Sequence, residues 1–214
     1  MKKVKKMISG VKDWKRRWGV MVMGVSLFHL LTFSLISCSE DSTEEDEYAN
    51  WEERNEAQTN QWAANSALRK IKCYTKDATT TGENSDYIYV EVLETGSGTE
   101  NPMFTDSVWV AYRGRLIPTT SYPDGAVFDQ SYIGDFSWHT ADFSKFCVSA
   151  LVSGFTTALL EMHPGDRWRV HIPYMLGYGT TASSSGTIPA YSDLTFDIAL
   201  LDFWHPGETR PEFK

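Results

Sequence analysis

Leu151-Val152-Ser153-Gly154-Phe155-Thr156-Thr157-Ala158-Leu159-Leu160-Glu161-Met162 runs through His163-Pro164-Gly165 to Arg167-Trp168-Arg169-Val170-His171-Ile172-Pro173. The first part sets Val152, Phe155 and Leu159 at i, i+3 and i+7, the spacing of one helix face. His163-Pro164-Gly165 then stops the helix. The last part alternates: Trp168, Val170 and Ile172 face one way, Arg167, Arg169 and His171 the other. A short helix followed by a half-buried strand is the pattern that decides the fold class.

Period two recurs outward from this point. Tyr87 to Leu93, Ser107 to Tyr112, Val127 to Ser131 and Leu194 to Phe203 all read as strands. Glu94 to Asn101 is a turn, and Leu116 to Gly125, with Pro118, Pro123 and Gly125, is a loop. The expected fold is α+β, an antiparallel sheet with one short α-helix laid across it. Tyr48 to Lys72 lacks Gly and Pro and is rich in Glu, Gln, Ala, Arg and Lys, so a helix is expected there. Thr79 to Asp86 is a polar break.

The N-terminus is organised differently. Residues 1–37 carry eight Lys/Arg and one acid, Asp13, ahead of an apolar run from Val20 to Ile36, the pattern of a secretory leader. Leu35-Ile36-Ser37-Cys38 resembles the lipobox of bacterial lipoproteins, which implies cleavage and a lipid on Cys38. The alternative is an uncleaved membrane anchor ending in an incidental cysteine. Residues 39–56 hold nine acids against Arg54 alone, a self-repelling, solvated tether. Acids just after a lipidated cysteine also resemble a surface-export signal of some Gram-negative lipoproteins.

Charge excludes one class of partner. Without residues 1–37 the formal net charge moves from −8 to −15, with 12 basic against 27 acidic residues. A nucleic-acid binder must present a basic surface, so no nucleic acid is expected. Cys73 and Cys147 lie in unlike contexts and are expected as two free, partly buried thiols, although an exported pair could oxidise. The five histidines lack ligand spacing, so no metal and no cofactor are expected. The motifs of serine hydrolysis, zinc proteolysis and phosphate binding are missing. Aromatic residues at strand ends and loops stand out instead, and an aromatic core alone would account for them.

Their order gives a sharper reading. Val110-Ala111-Tyr112-Arg113-Gly114-Arg115-Leu116, then Asp124-Gly125-x-Val127-Phe128-Asp129-x-Ser131, then Leu151-Val152-x-Gly154-Phe155 and Met162-x-Pro164-Gly165-Asp166 follow one another. Ile172-Pro173-x-x-x-Gly177-Tyr178-Gly179, Thr187-Ile188-Pro189 and Leu194-x-Phe196-Asp197-Ile198-x-Leu200-Leu201 complete the series. It resembles the FKBP-type peptidyl-prolyl cis-trans isomerases over residues 86–205. The resemblance implies about five strands wrapped around the helix, with a shallow apolar basin between helix and sheet. Tyr112, Phe128, Leu151, Val152 and Phe196 would be its walls and Phe155 its floor, where the family commonly has Trp. Asp129 would face the rim. Phe136, in Asp135-Phe136-Ser137-Trp138, would match the family's Phe-x-Phe strand. The Tyr178 hydroxyl and the Ile188 N–H would bond substrate carbonyls.

The resulting organisation is a leader over 1–37, a tether over 38–56, a helix and linker over 57–85, and an isomerase domain over 86–206. The chain is longer than compact family members between Trp138 and Leu151, and this insertion borders the basin. The implied partners are proline-containing polypeptides and, through Cys38, a membrane. The implied place is the envelope of a Gram-negative bacterium, anchored to the outer membrane, and a monomer is expected. The rival reading is a non-catalytic module whose groove holds a polypeptide without isomerising it. A third gives the main role to the N-terminal helix as an assembly surface.

Overall fold

A computed structural model describes residues 47–209. The expected leader, Cys38 and tether residues 38–46 lie outside these residues; of the rest of the expected tether, residues 51–56 are the start of a helix that buries Trp51 and Asn55. Among the described residues, seven antiparallel strands form one sheet: β1 Arg69–Lys72, β2 Tyr87–Glu94, β3 Ser107–Arg115, β4 Val127–Gln130, β5 Ser144–Cys147, β6 Arg167–Ile172 and β7 Leu194–Trp204. The order is β1-β2-β6-β7-β3-β4, and β5 also pairs with β3. β4 and β5 share one edge of β3, β4 along Arg113–Arg115 and β5 along Ser107–Val110. The sheet therefore has two strands beyond the expected five.

Alternation assigns the faces. Val90, Val108, Val110, Trp168, Val170, Ile172, Ile198 and Leu200 are buried in the main core. Helix α2, Ser153–Leu159, packs on β2 and β6, burying Phe155 and Leu159. Gly154 permits the approach: a Cβ there would come within 2.3 Å of Ile172 Cγ2. Removing a fully enclosed side chain such as Leu159 would cost about 2–5 kcal/mol.

The opposite face has its own cover. Tyr132 is buried with Ala111 and Ala199, and Phe136, Trp138 and Phe143 pack against them. Arg115 and Arg169 both bond Asp197, at 3.2 and 2.7 Å. Burial works to raise the Asp197 pKa, but the two guanidiniums outweigh it and hold it below its ordinary value. Helix α1, Trp51–Ala64, lies over the Tyr89 and His171 part of this face, with Trp62 stacked on His171 at 4.7 Å.

Three expectations need correction. The N-terminal helix ends at Ala64, not Lys72, because Arg69–Lys72 pairs with Tyr87–Val90. There Ile71 lies opposite Ile88, and the Lys70 ammonium sits 4.1 Å from the Tyr87 ring centroid. Cross-strand contacts thus outweigh local helix propensity. Residues 144–147, inside the expected insertion, form β5. Cys73 is a buried free thiol, but Cys147 is free and exposed, because β5 occupies only part of the β3 edge.

Candidate active site

Five rings converge where α2 meets the sheet. Phe155, buried on α2, meets Phe196 edge-on at 5.0 Å and Tyr112 at 6.4 Å. Phe128 meets Phe196 at 5.4 Å, and Phe146 meets Tyr112 at 5.6 Å. Edge-to-face contacts of this kind fix ring orientation as well as burying area.

Local backbone features aim the walls. β3 and β7 pair Gly114 with Phe196, so Phe196 shares a face with Tyr112. The β3–β4 register passes from Gly114↔Asp129 to Arg115↔Val127 and leaves Phe128 as the extra residue of a bulge. The bulge turns its ring over Gly114. A Cβ on Gly114 would fall 2.5 Å from Phe128 Cζ and 2.6 Å from Phe196 Cε1, so glycine makes room for both rings. Ser131 anchors the Tyr112 backbone on both sides. Tyr112 N–H donates to Ser131 Oγ at 3.0 Å, and Ser131 N–H donates to Tyr112 O at 2.9 Å.

The rim is polar. Tyr112 Oη donates to Asp129 Oδ2 at 2.8 Å, and Asp129 is exposed. Burial, and next the bond to Asp129, raise the Tyr112 pKa, so the phenol stays a donor at physiological pH. Leu151 and Val152 pack at the edge of the same core, and Ile188 is buried within it. Tyr178 is 43% exposed.

Two expected residues stand differently. Phe136 is on the opposite face of the sheet, edge-on to Tyr132 and Trp138, with the Arg167 guanidinium 4.6 Å from its centroid. The outer face needs aromatic cover too, and Phe136 supplies it. Phe146 of β5 takes the place beside Tyr112. Its signal was weak: it is the one ring in Ser144-Lys145-Phe146-Cys147, within a segment read as an insertion. The Ile188 N–H is not free for a substrate. It donates to Ser183 Oγ at 3.1 Å, while Ser183 N–H donates to Ile188 O at 2.9 Å.

Residues 98–201 match the family model described as FKBP-type peptidyl-prolyl cis-trans isomerase. A "macrophage infectivity potentiator" of Trypanosoma cruzi is 39% identical over 115 residues, 54% of this chain and 52% of that protein. The "FKBP-type 22 kDa peptidyl-prolyl cis-trans isomerase" of Escherichia coli is 32% identical over 64% of this chain and 60% of its own length. The chain thus spans between half and two-thirds of these relatives. Among solved structures, Escherichia coli FkpA aligns with a TM-score of 0.53 at 26% identity, covering 74% of this chain and 62% of that one. A Pseudomonas syringae peptidyl-prolyl cis-trans isomerase aligns at 0.54 and 24% identity, over 73% of this chain and 95% of that one, and supports the fold.

Proposed function

Since residues 98–201 belong to the FKBP-type peptidyl-prolyl cis-trans isomerase family, we propose that the chain accelerates cis–trans exchange at X-Pro bonds of polypeptides. The observation that carries this reading is the packing of Tyr112, Phe128, Phe155 and Phe196 into one cluster of rings where α2 meets the sheet.

The chemistry asks little of the protein's side chains. An X-Pro amide crosses a barrier of about 18–20 kcal/mol through a twisted state in which resonance is lost. The twisted carbonyl is less polarised than the planar one, so a dry aromatic hollow favours it. Binding it about 5 kcal/mol better than the planar forms gives a several-thousand-fold acceleration. Phe155 supports the ring from below. Phe128 and Phe196 exclude water, and Asp129 and Tyr112 present a fixed dipole at the rim. A substrate carbonyl that takes the Ile188 N–H must displace Ser183.

The clients are proline-containing polypeptides. The basic leader and Cys38 support a lipid-anchored protein of a Gram-negative envelope, held to the outer membrane. The non-catalytic alternative is favoured by the occupied Ile188 amide alone. Exchange spectroscopy on a Leu-Pro or Phe-Pro peptide with the detergent-solubilised full-length protein separates the two. Acceleration at micromolar protein supports the enzyme. Peptide binding with the uncatalysed rate supports the binding module.

A further inference from the structure

Helix α1 buries Trp51, Asn55, Thr59 and Trp62 along one face, and two of these four are polar. The rest of the helix is hydrophilic, so its docking depends on what this one face meets. It meets both ends of the segment that carries Tyr178 and Ile188. Trp51 Nε1–H donates to Ser192 Oγ at 2.9 Å, and Ser192 Oγ–H donates on to Pro189 O at 2.7 Å, one residue from Ile188. Asp193 N–H donates to Asn55 Oδ1 at 2.8 Å. The Asp193 carboxylate accepts from Thr59 Oγ1 at 2.7 Å and from Tyr174 N–H at 2.8 Å.

A single buried carboxylate therefore ties α1 to the start of the segment, at Tyr174, and to its end. Asn55 and Asp193 are both 0% exposed. Buried polar groups tolerate almost no displacement, because an unmade bond costs the full desolvation of the group. The loop between these ties is closed by Tyr191 N–H donating to Gly179 O at 3.0 Å. Tyr191 adopts φ 61°, a left-handed conformation that a bulky residue holds only when its surroundings impose it. The residues that follow it, Ser192 and Asp193, are the two that α1 grips.

We propose that α1 is a positioning element for the substrate loop over residues 177–191, acting through Trp51, Asn55 and Thr59. This rests on the isomerase reading only in assigning substrate contact to that loop. A merely covering helix would be served as well by apolar side chains. The directional bonds to Ser192 and Asp193 instead set where Ile188 and Tyr178 stand over the basin.

The test uses the full-length protein with Trp51→Phe, which keeps an aromatic ring there and removes the indole donor, and Thr59→Val, which keeps the shape and removes the hydroxyl, with Thr59→Ser as the conservative control. Hydrogen exchange of amides 178–191 and the KM–kcat split on a Leu-Pro peptide are both read. Losing one directional bond is expected to speed loop exchange and raise KM about five- to tenfold with kcat nearly unchanged. Thr59→Ser should restore both. Wild-type loop exchange in folded Trp51→Phe and Thr59→Val proteins overturns the proposal. An inactive wild type would remove the isomerase reading, yet faster loop exchange in the variants would still support the tether.

Discussion

Ser183 Oγ accepts the Ile188 N–H at 3.1 Å, so the amide expected to greet a substrate carbonyl is already bonded within its own loop. Ser183 also contacts Ser185 Oγ at 3.2 Å, which in turn meets Thr187 Oγ1 at 2.8 Å. A peptide must break this short hydroxyl chain to reach Ile188. Ser183→Ala should lower KM for a Leu-Pro peptide about fivefold, the equivalent of one net hydrogen bond. An unchanged or higher KM would show that the amide takes no part in binding.

The Tyr112–Asp129 bond makes a second expectation. Tyr112→Phe keeps the ring contacts with Phe155 and Phe196 and removes only the donor to Asp129. Urea denaturation should show a loss of about 1–2 kcal/mol. Peptide exchange should slow without an altered fold, as judged by aromatic circular dichroism.

Gly114→Ala tests the closeness of the walls. Its methyl would enter the space held by Phe128 Cζ and Phe196 Cε1, so both rings must move. A loss of about 1–3 kcal/mol is expected from overpacking, together with reduced peptide turnover. Retained activity at wild-type level would mean that ring placement in this wall is not limiting.

Two buried groups give stability opposite dependences on pH. Burial, then Arg169, push the His171 pKa down to about 4, although Asp197 opposes the shift. The unfolded chain takes up this proton near pH 6.5 and the folded one only near 4, so this contribution falls as pH drops through that window. Burial raises the Asp193 pKa to about 7 against the bonds from Thr59 and Tyr174, with Glu56 adding to the rise. The folded chain there binds the proton more tightly, so this contribution is present below about pH 4 and is lost as pH rises to about 7. The wild-type profile between pH 4 and 6.5 should be shallow. His171→Gln should leave stability that decreases with pH by about 4 kcal/mol across the Asp193 window, and Asp193→Asn stability that increases by about 3 kcal/mol across the His171 window. Parallel profiles for the two variants would contradict this.

A chain beginning at residue 80 should be markedly less stable than one beginning at residue 47. It lacks α1 and β1, which cover Tyr89 and Ile88, both 0% exposed. Each such side chain returned to water costs about 1.5–3 kcal/mol. Equal urea midpoints for the two fragments would show that the N-terminal elements contribute little.

Much of this architecture was legible from alternation. β6 buries strictly alternate residues, whereas β2, β3 and β7 bury consecutive runs because both faces of the sheet are covered there, and α2 buries Thr156 and Thr157 along with Phe155 and Leu159. β1 and β5 escaped notice because each is four residues long with little apolar content, and pairing rather than pattern makes them strands. Tyr112, Phe128, Phe155 and Phe196 were identifiable through their order along the chain. Phe136 was misplaced because a motif of spaced aromatics does not say which face of a sheet it covers. The Ser183–Ile188 contact and the grip on Asp193 depend on loop closure and on helix docking across 134 residues, which no local pattern encodes.

The separation between α1 and its anchors also bears on how the chain acquires its shape. Trp51 and Thr59 must wait for residues 141 and 134 positions downstream, so the helix can settle only after nearly the whole domain has been made. A hydrophilic segment of 14 residues is a poor helix in isolation. Contacts between distant parts of a chain are also slow to form. Final ordering of α1 is thus tied to arrival of the last strand, and a chain stalled before Ser192 would leave Tyr89 and His171 uncovered for a chaperone or protease to find.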